Sequence, residues 1–253
     1  RLINQTLAKR DDSPVLIAET GGQNAMIVDS TALAEQVCAD VLNSAFDSAG
    51  QRCSALRILC VQEDVADHMV KMIKGAMDEL VVGNPIALDT DIGPVIDTEA
   101  QQNLLAHINR MKGIAKSYHE IRPSENVNPD NATFVAPIMF ELNGLGELQR
   151  EVFGPVLHVV RYPADGLDKL IDQINGKGYA LTHGVHSRID GTVEHIRSRI
   201  ESGNVYVNRN IVGAVVGVQP FGGHGLSGTG PKAGGSFYLQ RLSRLEEWTA
   251  PTL

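Results

Sequence analysis

Cys53 stands in the polar turn Gln51-Arg52-Cys53-Ser54, just past a long apolar stretch that ends near Gly50. A thiol in a polar turn beside a cation is a setting for a reactive thiolate. On setting alone, a plain loop cysteine is an equally good reading. Cys38 and Cys60 lie inside apolar runs, where cysteine packs as a small hydrophobe, and both are assigned to the core. The spacing of the three does not make a zinc pattern. Glu19 is the second candidate, a carboxylate between two apolar runs and directly before Gly21-Gly22. Alone it reads as an exposed strand end. Paired with Cys53, one group could attack a carbonyl while the other activates water.

Other motifs fail on context. Residues 223–228 match G-x-G-x-x-G, but no strand leads into them and Thr229-Gly230-Pro231 follows where a helix should begin, so they are not a dinucleotide fingerprint. Pro231 before Lys232 likewise spoils a phosphate-binding loop. His183 and His186 lack a carboxylate at metal-ligand spacing and read as structural, while His224 reads as a solvated loop residue. No metal site is expected.

The elements that must position these groups alternate. Residues 14–18 read as a buried strand and 25–28 as a second. Thr31 reads as the cap of a helix to about residue 48, apolar over a wide face through Leu33, Val37, Val41 and Ala45. Strands are expected at 56–61, 134–140, 155–162, 182–187 and 204–207, and helices at 65–80, 98–112, 167–175 and 193–202. The segment 124–131 reads as an exposed loop. This alternation implies an α/β fold with a mostly parallel sheet flanked by helices. The composition agrees with a globular chain: 43% hydrophobic and 21% charged residues, with a formal net charge of −8 that argues against nucleic acid and anionic membrane surfaces. Three cysteines are too few for a disulfide framework, so a reducing, cytoplasmic location is expected. The chain opens on Arg1-Leu2-Ile3, as if inside a helix, and reads as a piece of a longer polypeptide.

Four motifs in order then resemble the aldehyde dehydrogenase superfamily. Glu19-Thr20-Gly21-Gly22-Gln23-Asn24 resembles its general-base signature and Gly50-Gln51-Arg52-Cys53 its nucleophile signature, at the family's usual separation. Glu151-Val152-Phe153-Gly154-Pro155 resembles the motif at the nicotinamide ribose. Pro220-Phe221-Gly222-Gly223 with Ser227-Gly228 resembles the motif beside the aldehyde pocket. A narrower resemblance, carried by residues 51–54, 213–221 and 228–235, is to the L-glutamate γ-semialdehyde dehydrogenases, most nearly to that domain of the bifunctional proline utilization A flavoenzymes.

The resemblance implies the family's catalytic domain over residues 31–245. The last strands of a Rossmann-like nucleotide domain precede it in 1–30, and a C-terminal extension follows in 246–253. It implies Cys53 as nucleophile and Glu19 as base, with Glu151 and Phe153 at NAD. Ser54, Gly213 and Ala214 would hold a substrate α-carboxylate, with Phe221 packed on its stem. Free N–H groups of a glycine-containing loop suit that carboxylate. It further implies a homodimer and a proline dehydrogenase domain, with its own FAD, upstream in the same polypeptide. The fragment alone is expected to be nearly inactive, since the phosphate turn and a second oxyanion donor lie before residue 1 in this family. Two other readings remain: a dehydrogenase for another aldehyde, and a cofactor-free thiol esterase or acyl-transferase, in which the 151–155 motif has no role.

Overall fold

Unbroken apolar runs form the centre of the molecule. The computed structural model describes residues 2–12, 14–122 and 132–243. Helix α1 (Leu2–Leu7) precedes strands β1 (Ala18–Glu19) and β2 (Asn24–Val28) and helix α2 (Ala34–Phe46), which the 3-10 turn Asp47–Gly50 prolongs. Next come β3 (Leu56–Gln62), α3 (Glu63–Asp78), α4 (Thr98–Lys112), β4 (Ser117–Glu120), β5 (Ile138–Leu142) and β6 (Val156–Tyr162). Then follow α5 (Leu167–Asn175), β7 (Tyr179–Ala180), β8 (Thr182–His186), α6 (Asp190–Arg199) and β9 (Asn204–Val207), and finally β10 (His224–Gly225), β11 (Gly228–Thr229) and α7 (Tyr238–Leu242).

Seven strands form one sheet in the order β4-β5-β6-β3-β2-β8-β9. Every pairing in it is parallel except β4 with β5. β2, β5 and β8 are buried at every residue, as strands covered on both faces must be. α2 contributes Val37, Val41, Ala45 and Phe46 to the core, and α3 contributes Met69, Ile73 and Met77. Cys38 and Cys60 are buried among them, and burial pushes the Cys60 thiol up to about 12. Among the described residues no helix is long and apolar enough to cross a membrane.

Several elements differ from the sequence reading. Residues 14–18 stay out of the large sheet, because β3 and β8 already occupy both sides of β2. Only Ala18 there enters a strand, and β1 pairs antiparallel with β11 instead. Thr31 is not the cap of α2. Its hydroxyl donates to Asp29 at 2.6 Å and the helix begins at Ala34. The strand expected at 134–140 begins at Ile138, after Pro137, which has no N–H for the ladder. α6 starts at Asp190, an acidic first-turn residue that suits the helix dipole, and Ile200 is already extended. β4 escaped notice because it is a short polar edge strand. Residues 24–28, given from sequence to the end of a preceding domain, form a central strand of this sheet. The segment 124–131 and the extension 246–253 lie outside the described residues.

Candidate active site

Parallel strands begin on a common edge, so the segments that lead into them gather there. Residues 19–23 lead into β2, 51–55 into β3 and 151–155 into β6, and β8 starts directly after Leu181. The candidate groups therefore meet at the N-terminal edge of the sheet, opposite to the edge usual for ligand sites in open α/β folds.

The turn before Cys53 is a forced one. Ser48, Ala49 and Gly50 adopt φ of 56°, 52° and 63°. Left-handed backbone costs a non-glycine residue roughly 1–2 kcal/mol, so tertiary contacts must hold Ser48 and Ala49. Gly50 admits no side chain, because a Cβ there would collide with the Gly154 carbonyl. Asn24 bolts the far side of the turn: its Nδ2 donates to the carbonyls of Cys53 (2.7 Å) and Ala55 (2.9 Å), while its Oδ1 accepts the Thr182 N–H at 3.1 Å. Cys53 is exposed, and Ser54 beside it is buried. Partial burial of the thiol raises its pKa. The N–H groups of Ser54 and Cys53 itself oppose that rise, and the carboxylates of Glu19 and Glu151 add to it. Arg52 does not activate the thiol as its adjacency suggested, because its Nε is turned back to Ser48 Oγ at 3.0 Å.

Arg57 is the residue that sequence reasoning missed. It is 1% exposed in a strand otherwise apolar up to its last residue, Gln62. Its Nη1 donates to the carbonyls of Gly50 (2.7 Å) and Gly154 (3.1 Å), and its Nη2 to that of Arg52 (3.2 Å). Nη2 also lies 3.6 Å from Glu151 Oε1, and the guanidinium sits 5.3 Å from the centre of the Phe153 ring. One cation thus ties the Cys53 turn to the 151–154 segment. Burial drives its pKa down to about 10 even with Glu151 opposing. The available signal was a charge inside the apolar run 56–61.

Glu151 is half-buried, and burial raises its pKa against the pull of Arg57 and the Gly22 N–H. Its carboxylate fills the space where a Cβ of Gly21 would stand, which gives that glycine its reason. Oε1 has no hydrogen-bond partner among the described residues. Glu151, Val152 and Phe153 line a cavity of about 550 Å³ against Leu104 and His107 of α4. Phe153 is 45% exposed there. A free carboxylate oxygen beside an open aromatic face fits a ribose and its attached ring. Behind it, His158 Nδ1 donates to the Arg57 carbonyl at 3.0 Å and its Nε2 meets His107 Nε2 at 2.9 Å. Burial keeps both imidazoles neutral, with pKa values of about 3 and about 4.

Glu19 ends β1 and is exposed, as its isolated reading expected. Its charge nevertheless reaches Cys53, and partial burial raises its pKa. A Cβ on Gly222 would stand 2.9 Å from Glu19 Oε1, so the carboxylate lies over the 220–223 segment. Ser227, fully buried, accepts the Ala180 N–H at 3.0 Å and its carbonyl accepts that of Thr20 at 3.2 Å. Phe221 is half-buried and pairs through its backbone with Ala233. Gly213 (φ 76°) opens an exposed loop in which Ala214 is half-buried. His183 and His186 are buried, as their structural reading required, and no metal-binding cluster occurs among the described residues.

The aldehyde dehydrogenase family profile matches residues 1–247. The chain belongs to the aldehyde dehydrogenase family. It is 58% identical over 261 residues to the bifunctional protein PutA of Escherichia coli (strain K12), which covers the whole chain but 20% of that protein. It is 34% identical over 226 residues to the 1-pyrroline-5-carboxylate dehydrogenase of Geobacillus sp. (strain WCH70), 88% of this chain and 43% of that one. A crystal structure of bifunctional proline utilization A superposes with a TM-score of 0.91 at 58% identity, over 95% of this chain and 24% of the other. A 1-pyrroline-5-carboxylate dehydrogenase from Thermus with bound NAD gives 0.79 at 34% identity, over 89% and 43%. The chain spans about a fifth of the length of the PutA proteins it matches. The family's α/β fold is the one expected from the motifs.

Proposed function

We propose that this chain supplies the nucleophile, the base and half of the cofactor site for NAD-dependent oxidation of L-glutamate γ-semialdehyde to L-glutamate, the second step of proline catabolism. The observation that carries the reading is Cys53, exposed on a turn bolted by Asn24 and Arg57, with Glu19 and Glu151 both within electrostatic reach. Relatives named PutA and 1-pyrroline-5-carboxylate dehydrogenase support the substrate, and a neighbour with bound NAD supports the cofactor.

Cys53 attacks the aldehyde carbon as the thiolate and forms a thiohemiacetal, whose oxyanion receives the Cys53 N–H. NAD, when bound, would supply the hydride acceptor. Glu151 would hold ribose hydroxyls through its free oxygen, and Phe153 would pack beside the ring. Loss of hydride leaves a thioester on Cys53. Glu19 takes a proton from water, the hydroxide adds to the thioester carbon, and the thiolate leaves as glutamate forms. The raised pKa of Glu19 suits a base that must accept this proton. The loop of Gly213 and Ala214, with Ser54, holds the α-carboxylate, and Phe221 packs on the aliphatic stem. On the same reading the polypeptide carries a proline dehydrogenase domain with FAD, forms a homodimer and works in the cytoplasm.

The test is NADH formation by the full-length enzyme. With wild type, semialdehyde should be oxidised in preference to a short alkanal. Glu19→Gln should release about one NADH per site and then stall, because the thioester accumulates. Good alkanal turnover with no semialdehyde oxidation would sink the substrate reading. A Cys53→Ala enzyme that keeps turnover would sink the mechanism.

A further inference from the structure

α2 is a core helix, yet it carries a polar stripe at four-residue intervals: Gln36, Asp40 and Ser44. Residues so spaced share one helix face. All three meet a single strip of backbone, the segment after β9. Gln36 Nε2 donates to the Asn208 carbonyl at 2.6 Å. Ser44, 1% exposed, accepts the Ile211 N–H at 3.1 Å. Between them Asp40 Oδ2 lies 3.5 Å from His186 Nε2, and the Asn210 N–H faces the same carboxylate. A hydroxyl as deeply buried as that of Ser44 needs a partner, and its partner is brought to it from far along the chain.

The segment is fixed from its other side as well. Asn208 adopts φ 51°, and its side chain closes a ring with the Ser187 N–H (3.0 Å) and carbonyl (2.9 Å). The Ile211 side chain sits over Gly184, where a Cβ would come within 2.8 Å of it. Val212 is buried; from Gly213 the chain leaves the scaffold, and Val216 is 95% exposed. The loop is caught again where Asn204 Nδ2 donates to the Pro220 carbonyl at 3.0 Å and Phe221 pairs with Ala233. The start of the loop therefore takes its position from α2. The opposite consequence of the same helix is the turn that begins after Phe46 and delivers Cys53.

We propose that Gln36, Asp40 and Ser44 are positioning residues for substrate selection: through them α2 sets the distance between Cys53 and the carboxylate-binding loop 213–220. This rests on the reading above, in which that loop holds the substrate's α-carboxylate. An aldehyde without a carboxylate uses the nucleophile but not the loop. Loosening the stripe should thus penalise the two kinds of substrate unequally.

The experiment measures kcat/KM of the full-length enzyme for glutamate γ-semialdehyde and for propanal, and takes their ratio. Ser44→Ala should lower the ratio about fivefold, the worth of one hydrogen bond, and Asp40→Ala, which removes a facing carboxylate rather than a closed bond, by less, both mainly through KM. Asp40→Asn keeps an acceptor oxygen for the Asn210 N–H and should recover most of the loss. Gln36→Ala places the best helix former at an exposed position, so folding is safe, and a two- to threefold fall is expected (roughly half the effect of a buried bond). An unchanged ratio in Gln36→Ala and Ser44→Ala, or equal losses on both substrates, overturns the proposal. If wild type itself shows no preference for the semialdehyde, the substrate reading fails and takes this proposal with it. A wild-type preference left unchanged by every substitution overturns this proposal alone.

Discussion

Replacing Arg57 by Met keeps an unbranched stem and removes the cation that joins the Cys53 turn to the 151–154 segment. Three carbonyls, of Gly50, Arg52 and Gly154, lose their donors. At about 1.5 kcal/mol for each charge-assisted bond, the loss is ~4.5 kcal/mol. Against it stands relief of desolvation. The fall of the Arg57 pKa to about 10 says that burial already works against the charged form, and Met avoids that. Glu151 is also left without its cation, but its side chain is 15% exposed and can take a proton. The net should sit at the low end for breaking a buried pair, about 3 kcal/mol. Arg57→Lys keeps a charge near Glu151 but lacks the fork that reaches several carbonyls, and should recover less than half.

Urea unfolding of each variant checks the stability. Iodoacetamide labelling of Cys53, with buried Cys38 and Cys60 as internal controls, checks the turn. In Arg57→Met the contrast between Cys53 and the controls should shrink as the turn loosens. A displacement of the thiol near 1 Å should lower kcat/KM of the full-length enzyme by roughly 10²-fold. An Arg57→Met protein within 0.5 kcal/mol of wild type (roughly the spread of neutral surface changes), with unaltered labelling, would falsify the reasoning. It would mean the three carbonyls are satisfied without the guanidinium.

Two further outcomes follow from other parts of the site. Gly21→Ala puts a methyl where the Glu151 carboxylate sits. KM for NAD should rise at least about tenfold, the equivalent of one displaced charged hydrogen bond, with little change in Cys53 labelling; an unchanged KM would refute the assigned seat of Glu151. The second concerns acid. His158 and His183 are buried neutral, each with a pKa near 3, and His107 and His186 near 4. Their unfolded forms take up protons near pH 6.5, so unfolding binds protons between that value and the folded ones. Stability from this source is whole above about pH 6.5 and is lost as pH falls toward about 4 for His107 and His186 and about 3 for His158 and His183. His183→Leu should cut proton uptake on unfolding at pH 5.5 by about one, measured from the pH slope of the urea midpoint. A slope equal to wild type would show that His183 is protonated in the native state.

Much of the site could be read from the chain because its motifs are local. The thiol at 53, the carboxylates at 19 and 151 and the glycines beside them are short-range patterns. Gly50 and Gly21 now have physical reasons, a left-handed turn and a seat for a carboxylate. The central strands were legible as unbroken apolar runs, and α4, α5 and β9 fell where expected. Boundaries shifted where a single residue outweighed the pattern, as Pro137 did before β5 and Asp29 did at Thr31. The polar edge strand β4 left no hydrophobic signal at all.

The sequence by itself determined which groups could react and that they sit on segments entering buried parallel strands. Only the tertiary structure decided what holds those groups in place. Asn24 reaches the Cys53 carbonyl, Arg57 reaches Gly154, and Ser44 reaches the N–H of Ile211. Each partner is distant in the chain and near only because of the strand order β6-β3-β2-β8. Periodicity records which residues leave water, since that is fixed by local geometry. It does not record which carbonyl a buried donor will find, since that depends on which strands become neighbours.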